Sequence, residues 1–354
     1  MTDFRPAWWL PGPHLQTIWG RMARPKNVVP YQREVLNTPD DDDLVVDHLE
    51  APDAAARPAH PHVVLLHGLE GSSHSVYAQG LAGMLHAGGA SVSVMNFRGC
   101  ARDPARLRRL LPNRGGRLYH SGETTDLDFL LRTLAVRYPR RRLAATGVSL
   151  GGNVLLKWLG ENAAGGTTPG ASAAAGPAPR LAAVATLSVP YDLGAGARGL
   201  ESGVGRHYVG IFLKTLLAKV ELLLARRPDL ADRVDITRAR AARTFFQFDD
   251  AATAPLHGFA GADDYYTRSS SLGYLARIDT PTLCISAADD PFLNGAPLEA
   301  AAQAAAASGA IRFIITPRGG HSGFVMGPTP WQATYWGEET LAAWLRAACD
   351  GRPA

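Results

Sequence analysis

Thr146-Gly147-Val148-Ser149-Leu150-Gly151-Gly152-Asn153 is the stretch on which the reading of the chain turns. It follows a short apolar run, Leu143-Ala144-Ala145, that reads as a strand. It precedes residues 154–159, which read as a helix. Strand, Gly-x-Ser-x-Gly and helix together make a nucleophile elbow. The turn is sharp enough to hold Ser149 in strained backbone space with its hydroxyl exposed above the sheet. Gly147 and Gly151 lack the Cβ atoms that would collide there. The helix then aims its N-terminus at the site, which favours negative charge developing in front of it. A bare pentapeptide of this kind also arises by chance, with an idle serine, so its meaning depends on what converges on it.

Going outward, strand-like runs alternate with helical ones. Residues 28–36 and 44–49 read as two strands split by Asn37-Thr38-Pro39-Asp40-Asp41-Asp42-Asp43. Four consecutive aspartates cannot all converge on one ion, so a solvated hairpin tip is expected there. Val63-Val64-Leu65-Leu66 is continuously apolar, as in a strand buried on both faces. Further strands are expected over 91–95, 181–189, 281–286 and 311–315. Helices are expected over 76–87, 126–138, 298–307 and 331–348, with apolar residues at helical spacing. Pro58–Pro61 and the Ala/Gly/Thr/Ser/Pro-rich residues 163–179 read as loops. Such alternation argues for an α/β fold, a mostly parallel sheet with helices on both faces.

Two regions break the pattern. Residues 1–27 carry Phe4, Trp8, Trp9, Leu15, Ile18 and Trp19 among prolines and glycines. They are too aromatic for a disordered tail and are expected to pack as an irregular arm. Between about 191 and 268 the alternation fails, and one long amphipathic helix over 209–227 stands out. An insertion there sits above the strand carboxyl ends, where ligands bind in open α/β sheets, so it reads as a helical cap. The expected organisation is one domain over 1–354 carrying that arm and cap.

The chain has 354 residues, 46% hydrophobic and 19% charged, with a net charge of +4. That describes a globular protein with a sizeable core. Its arginines cluster at 98–117 and 137–142 without a recognisable nucleic-acid module, so no nucleic-acid partner is expected. They read as a solvated face, and peripheral attachment to an anionic membrane surface is left open. Cys100, Cys284 and Cys349 have no paired spacing, so no disulfide framework or zinc motif follows. There is no signal-like N-terminus and no apolar run near the ~18 residues of a bilayer span, so a cytoplasmic protein is expected. Without a metal cluster or a dinucleotide glycine fingerprint, no metal and no cofactor is expected.

In a parallel sheet the loops at strand carboxyl ends converge. Four of them hold reactive groups: His67-Gly68-Leu69, Ser149, Asp289-Asp290 and His321. Serine, acid, histidine in that order is the hydrolase arrangement. A serine hydroxyl needs a base within hydrogen-bond reach. Histidine can take that proton and return it to the leaving group, and the acid fixes the imidazole tautomer. His321 follows a strand beside two glycines and lies downstream of the acid. Asp290, followed by Pro291 and apolar Phe292-Leu293, is the expected acid; Asp289 is the alternative. Backbone N–H groups of Leu150 and Leu69 are expected to form the oxyanion hole, with His67 orienting the latter's loop. The reading is a serine hydrolase acting on small-molecule ester or lipid substrates through an acyl-Ser149 intermediate. The alternatives are a thioesterase or amidase with the same triad, or a silent hydrolase-fold binding protein. Nothing in the sequence speaks to the oligomeric state.

Motifs along nearly the whole chain carry a resemblance. They include Pro13-His14-Leu15-Gln16-Thr17-Ile18, His67-Gly68-Leu69-Glu70-Gly71-Ser72-Ser73, Asn96-Phe97-Arg98-Gly99-Cys100, Tyr119-His120-Ser121-Gly122-Glu123-Thr124, Asp289-Asp290-Pro291-Phe292 and Gly319-Gly320-His321-Ser322-Gly323-Phe324. With the elbow, they resemble the YheT-like α/β-hydrolases, relatives of abhydrolase-domain phospholipases and plant embryogenesis-associated esterases. The resemblance implies carboxylesterase or acylglycerol-lipase activity, with a triad of Ser149, one of Asp289 or Asp290, and His321. It also implies that His14, His120 and His257 belong to the scaffold. Residues 110–116 and 163–179 lengthen loops relative to that pattern.

Overall fold

Eight strands form one sheet in this computed structural model, which describes residues 3–24, 29–57, 59–163, 166, 168–170, 176–293 and 295–352. They are β1 (Gln32–Asn37), β2 (Asp43–Leu49), β3 (His62–Leu66), β4 (Ser91–Asn96), β5 (Leu143–Val148), β6 (Val184–Leu187), β7 (Thr282–Ala287) and β8 (Ile311–Thr316). Their order across the sheet is β1-β2-β4-β3-β5-β6-β7-β8. Only β2 runs against its neighbours; the remaining pairs are parallel. Val28, Pro58 and residues 164, 165, 167 and 171–175 of the 163–179 loop lie outside the described residues.

The interior strands β3 to β7 are buried along their whole length. Their consecutive side chains feed two separate cores, as the two-residue period of a strand requires. Val64 and Leu66 join a core with Leu127, Leu130 and Leu134 of α3 (Thr125–Arg137) and Val154, Leu155 and Trp158 of α4 (Leu150–Asn162). Val63 and Leu65 join the opposite core, with Leu81 and Leu85 of α2 (Val76–Ala87) and Leu341 and Leu345 of a C-terminal helix, Trp336–Cys349. Full burial on both faces is why these strands read as unbroken apolar runs.

Three expectations need correction. The N-terminal arm is not irregular: it contains α1 (Pro13–Ala23), with Pro13 at its first turn, where proline's missing N–H costs nothing. The aspartate run is not a solvated tip. Asp42 is buried, and Asp40 and Asp42 accept from Arg98 at 2.8–2.9 Å. Arg98 also grips Asp126 of α3 at 2.6 and 2.9 Å. The β1–β2 turn is thus stapled to the helix layer by a buried arginine, a pairing across 56 residues that no local pattern displays. Nor are the arginine clusters wholly a solvated face, since Arg98 lies inside that network.

Between β6 and β7 the chain runs through α5 (Leu193–Gly199) and the long α6 (Gly205–Arg226). Short helical turns follow over residues 228–256, and then Ala262–Ser269. This segment has its own apolar cluster, in which Val209, Leu213, Val220 and Leu223 of α6 meet Leu230, Phe248 and Leu256. No helix among the described residues is long and apolar enough to cross a membrane.

Candidate active site

Ser149 stands at the end of β5 and caps α4, at φ 53° and ψ −122°, a conformation rare for a residue with a side chain. The surroundings hold it there. Its N–H donates to Leu187 O of β6 at 2.8 Å, and its carbonyl accepts from Gly152 and Asn153 N–H at 2.9 and 3.1 Å. A Cβ on Gly151 would lie 2.5 Å from Leu66 O and 2.6 Å from His67 O. The elbow is therefore wedged against the end of β3, and only glycine fits. Asn153 ties the start of α4 to the loop before α3 and to the β6–β7 segment: its amide nitrogen donates to Ser121 O and Ser269 O, and its oxygen accepts from Ser271 N–H, all at 2.8 Å.

His321 reaches Ser149 across 172 residues. Its Nε2 is 2.9 Å from Ser149 Oγ. Its Nδ1 is 2.9 Å from Asp290 Oδ2 and 3.1 Å from Oδ1. A carboxylate only accepts, so Nδ1 carries the proton and the Nε2 lone pair faces the serine hydroxyl. Asp290's side chain is fully buried, and its Oδ1 also accepts from Phe292 N–H at 2.8 Å. Asp289 does not reach the imidazole. Its Oδ1 accepts from Gly320 N–H at 2.9 Å, bracing the histidine loop, and burial raises its pKa.

The histidine loop is also held by α1, which sequence reasoning left without a role. His321 N–H donates to Thr17 Oγ1 at 2.9 Å, and Thr17 in turn donates to Pro13 O at 2.7 Å. Gln16 uses its amide like a strand backbone: Oε1 accepts from Val325 N–H at 2.7 Å and Nε2 donates to Val325 O at 3.2 Å. The Pro-His-Leu-Gln-Thr run was the only signal, and its meaning lay in a partner 300 residues away.

The turn before Leu69 lies against the elbow. A Cβ on Gly68 would sit 3.2 Å from Ser149 Cβ. Neither the Leu69 nor the Leu150 N–H has an acceptor among the described residues, and Leu150, as the first residue of α4, has no helix partner to give. His67 is buried and neutral: burial lowers its pKa to about 4. Its Nε2 accepts from Phe97 N–H at 3.2 Å, so its Nδ1 donates to Gly68 O at 2.8 Å. Tyr77 Oη accepts from Gly68 N–H at 2.7 Å. Above the imidazole, the Phe292 ring lies 4.4 Å from His321, and Tyr208 of α6 lies 4.9 Å from Phe292. Among the described residues no group of three or more His, Cys, Asp and Glu side chains could hold a metal ion.

Residues 61–328 match the family model described as the alpha/beta hydrolase fold. YheT of Escherichia coli (strain K12), named as a candidate esterase, is 34% identical over 340 residues, covering 96% of this chain and 92% of its own. The chain is a YheT-like α/β-hydrolase. This hydrolase is also similar to phospholipase ABHD3 of Mus musculus, at 30% identity over 328 residues, 90% of this chain and 72% of that one. Among solved structures, the Pyrococcus furiosus esterase Pf2001 superposes with a TM-score of 0.54 at 15% identity, covering 90% of this chain and 92% of that one. That likeness speaks for the fold alone. The YheT-like hydrolase thus has esterase- and lipase-type relatives, and its serine-carrying elbow lies inside the matched region.

Proposed function

We propose that the protein is a serine hydrolase of carboxylic esters. The observation that carries the reading is the pair of 2.9 Å contacts joining Ser149 Oγ, His321 and Asp290. His321 Nε2 takes the hydroxyl proton as Ser149 attacks the acyl carbon. Asp290 keeps the Nδ1 tautomer and stabilises the imidazolium. The tetrahedral oxyanion is met by the N–H groups of Leu69 and Leu150 and by the N-terminus of α4. His321 then protonates the departing alcohol, and water releases the acid by the same steps in reverse. The β6–β7 segment acts as a lid, and its Tyr208 forms, with Phe292 from the loop after β7, an apolar cover that suits an acyl chain. An ester or lipid of small size is the substrate class.

The test is hydrolysis of an ester series of increasing acyl length by the wild type and Ser149→Ala. Turnover by the wild type alone, with labelling of Ser149 by an active-site-directed fluorophosphonate, is expected. Equal background rates for both proteins would overturn the reading.

A further inference from the structure

Leu69 N–H belongs to the peptide whose carbonyl is Gly68 O. That carbonyl accepts from His67 Nδ1 at 2.8 Å and from Gly71 N–H at 3.0 Å, which fixes the plane of the peptide and hence the direction of the N–H. The next peptide is held from outside the loop. Glu70 N–H donates to Tyr119 Oη at 3.0 Å, and Tyr119 donates back to Glu70 Oε1 at 2.8 Å. Glu70 has φ 57°, a left-handed conformation that is strained for a residue with a Cβ. The loop keeps this shape only because its surroundings impose it.

One of those surroundings comes from α6. Lys219 Nζ donates to Glu70 Oε1 at 2.6 Å and lies 3.0 Å from Cys100 Sγ. The side chains of Lys219 and Glu70 are only 3% and 7% exposed. Burial alone would lower the Lys219 pKa, but the Cys100 sulfur and the Glu70 carboxylate raise it, so the amine stays charged. Glu70 Oε2 is buried with no partner among the described residues; without Lys219, Tyr119 would be the carboxylate's sole side-chain partner among them. Burying two charges carries a desolvation penalty even when they pair. An apolar contact would hold α6 to the body without that cost, but it would not act on the oxygen that Tyr119 also holds. The same helix touches the base side of the site, through Tyr208 against the Phe292 ring that covers His321.

We propose that Lys219 is a positioning residue through which the lid helix sets the oxyanion donor. When α6 is seated, Lys219 clamps Glu70, Glu70 holds the 68–71 turn, and Leu69 N–H points at the developing oxyanion. Closure of the lid and assembly of the oxyanion hole are then one event. The proposal rests on the ester-hydrolase reading of the site.

The experiment compares wild type, Lys219→Met, and the double variant Lys219→Met/Glu70→Gln, which leaves no unpaired buried charge. Each is measured for kcat and KM on a reactive ester. Each is also measured for affinity toward an alkyl trifluoromethyl ketone, which forms a hemiketal oxyanion with Ser149, and toward the matching unactivated alkyl ketone. Thermal melts confirm folding. Expected for both variants is a fall in kcat of about 10–100-fold, below the full loss of an oxyanion donor. KM should stay within about threefold, and trifluoromethyl ketone affinity should fall in step with kcat while unactivated ketone affinity holds. Wild-type kcat in Lys219→Met, recovery of kcat in the double variant, or equal loss of both ketones would overturn the positioning role. Wild-type protein that forms no hemiketal and matches Ser149→Ala would instead overturn the hydrolase reading, and the positioning role with it.

Discussion

Asp289 and Asp290 differ by one position and by everything that surrounds them. Asp290 faces the imidazole from full burial, and Asp289 faces a backbone N–H of the histidine loop. Asp290→Asn should lower kcat by about 10³ or more, because an amide can donate to Nδ1 and so favour the wrong tautomer. Asp289→Asn keeps an oxygen for Gly320 N–H and should stay within about tenfold; steady-state rates of the two purified variants decide. The Pro291-Phe292 context already leaned towards Asp290 in the sequence. Thr17 gave no such sign. It is a half-buried threonine whose hydroxyl accepts from His321 N–H, and only the fold brings the two together. Thr17→Val should leave that donor unpaired, costing about 1–3 kcal/mol in a chemical melt and slowing turnover, while Thr17→Ser should restore both.

Elements repeat the contrast. The stripe on α6 was legible because Phe212, Leu213, Leu216, Leu217, Val220, Leu223 and Leu224 fall on one helical face, and the buried residues Leu213, Val220 and Leu223 lie along it. Lys219, buried on the same helix, breaks the polar/apolar rule, because its partner is a glutamate on another loop. α1 was unreadable for a different reason. Its helix begins after Gly12 with no side-chain cap, and tertiary contacts to the histidine loop stabilise it where local propensity does not. Within the β6–β7 segment, Asp249 is buried with Thr253 and Tyr266 donating to it at 2.6 and 2.7 Å. Burial raises its pKa to about 6, above the ~3.9 of an unfolded chain. The folded protein therefore binds this proton more tightly. The stabilisation is fully present below about pH 4 and is lost as pH rises through about 6, amounting to on the order of 3 kcal/mol. Asp249→Asn should melt higher than wild type at pH 8 and converge with it near pH 4.5; urea midpoints at the two pH values test this.

For the whole molecule, the sheet was legible because strands buried on both faces cannot hide their composition. The alternation of strand and helix also fixed which loop ends would converge. The two edges were less clear. β1 is half exposed, and its tip aspartates reach inward to Arg98. The N-terminal residues are part of the body: Arg24 of the arm pairs with Glu338 of the C-terminal helix at 2.6 Å, both buried, and Phe4 packs on Phe324 and Trp336. Deleting residues 1–24 should leave a folded sheet by far-ultraviolet circular dichroism while ester turnover falls by about 10² or more, because the histidine loop loses Thr17 and Gln16 together. Turnover within a few-fold of wild type would show that the arm does not hold the base.

The clasp of α1 on the histidine loop has a consequence for synthesis. The arm leaves the ribosome some 300 residues before its partner loop, with the nucleophile made midway between them. A nascent chain that has emerged only to residue 300 displays Ser149 but has no base, and its first helix has nothing to grip. In a series of stalled chains of graded length, activity should therefore be absent until the segment bearing His321 emerges and then arise in one step. Until that step the growing polypeptide carries a serine without its histidine partner.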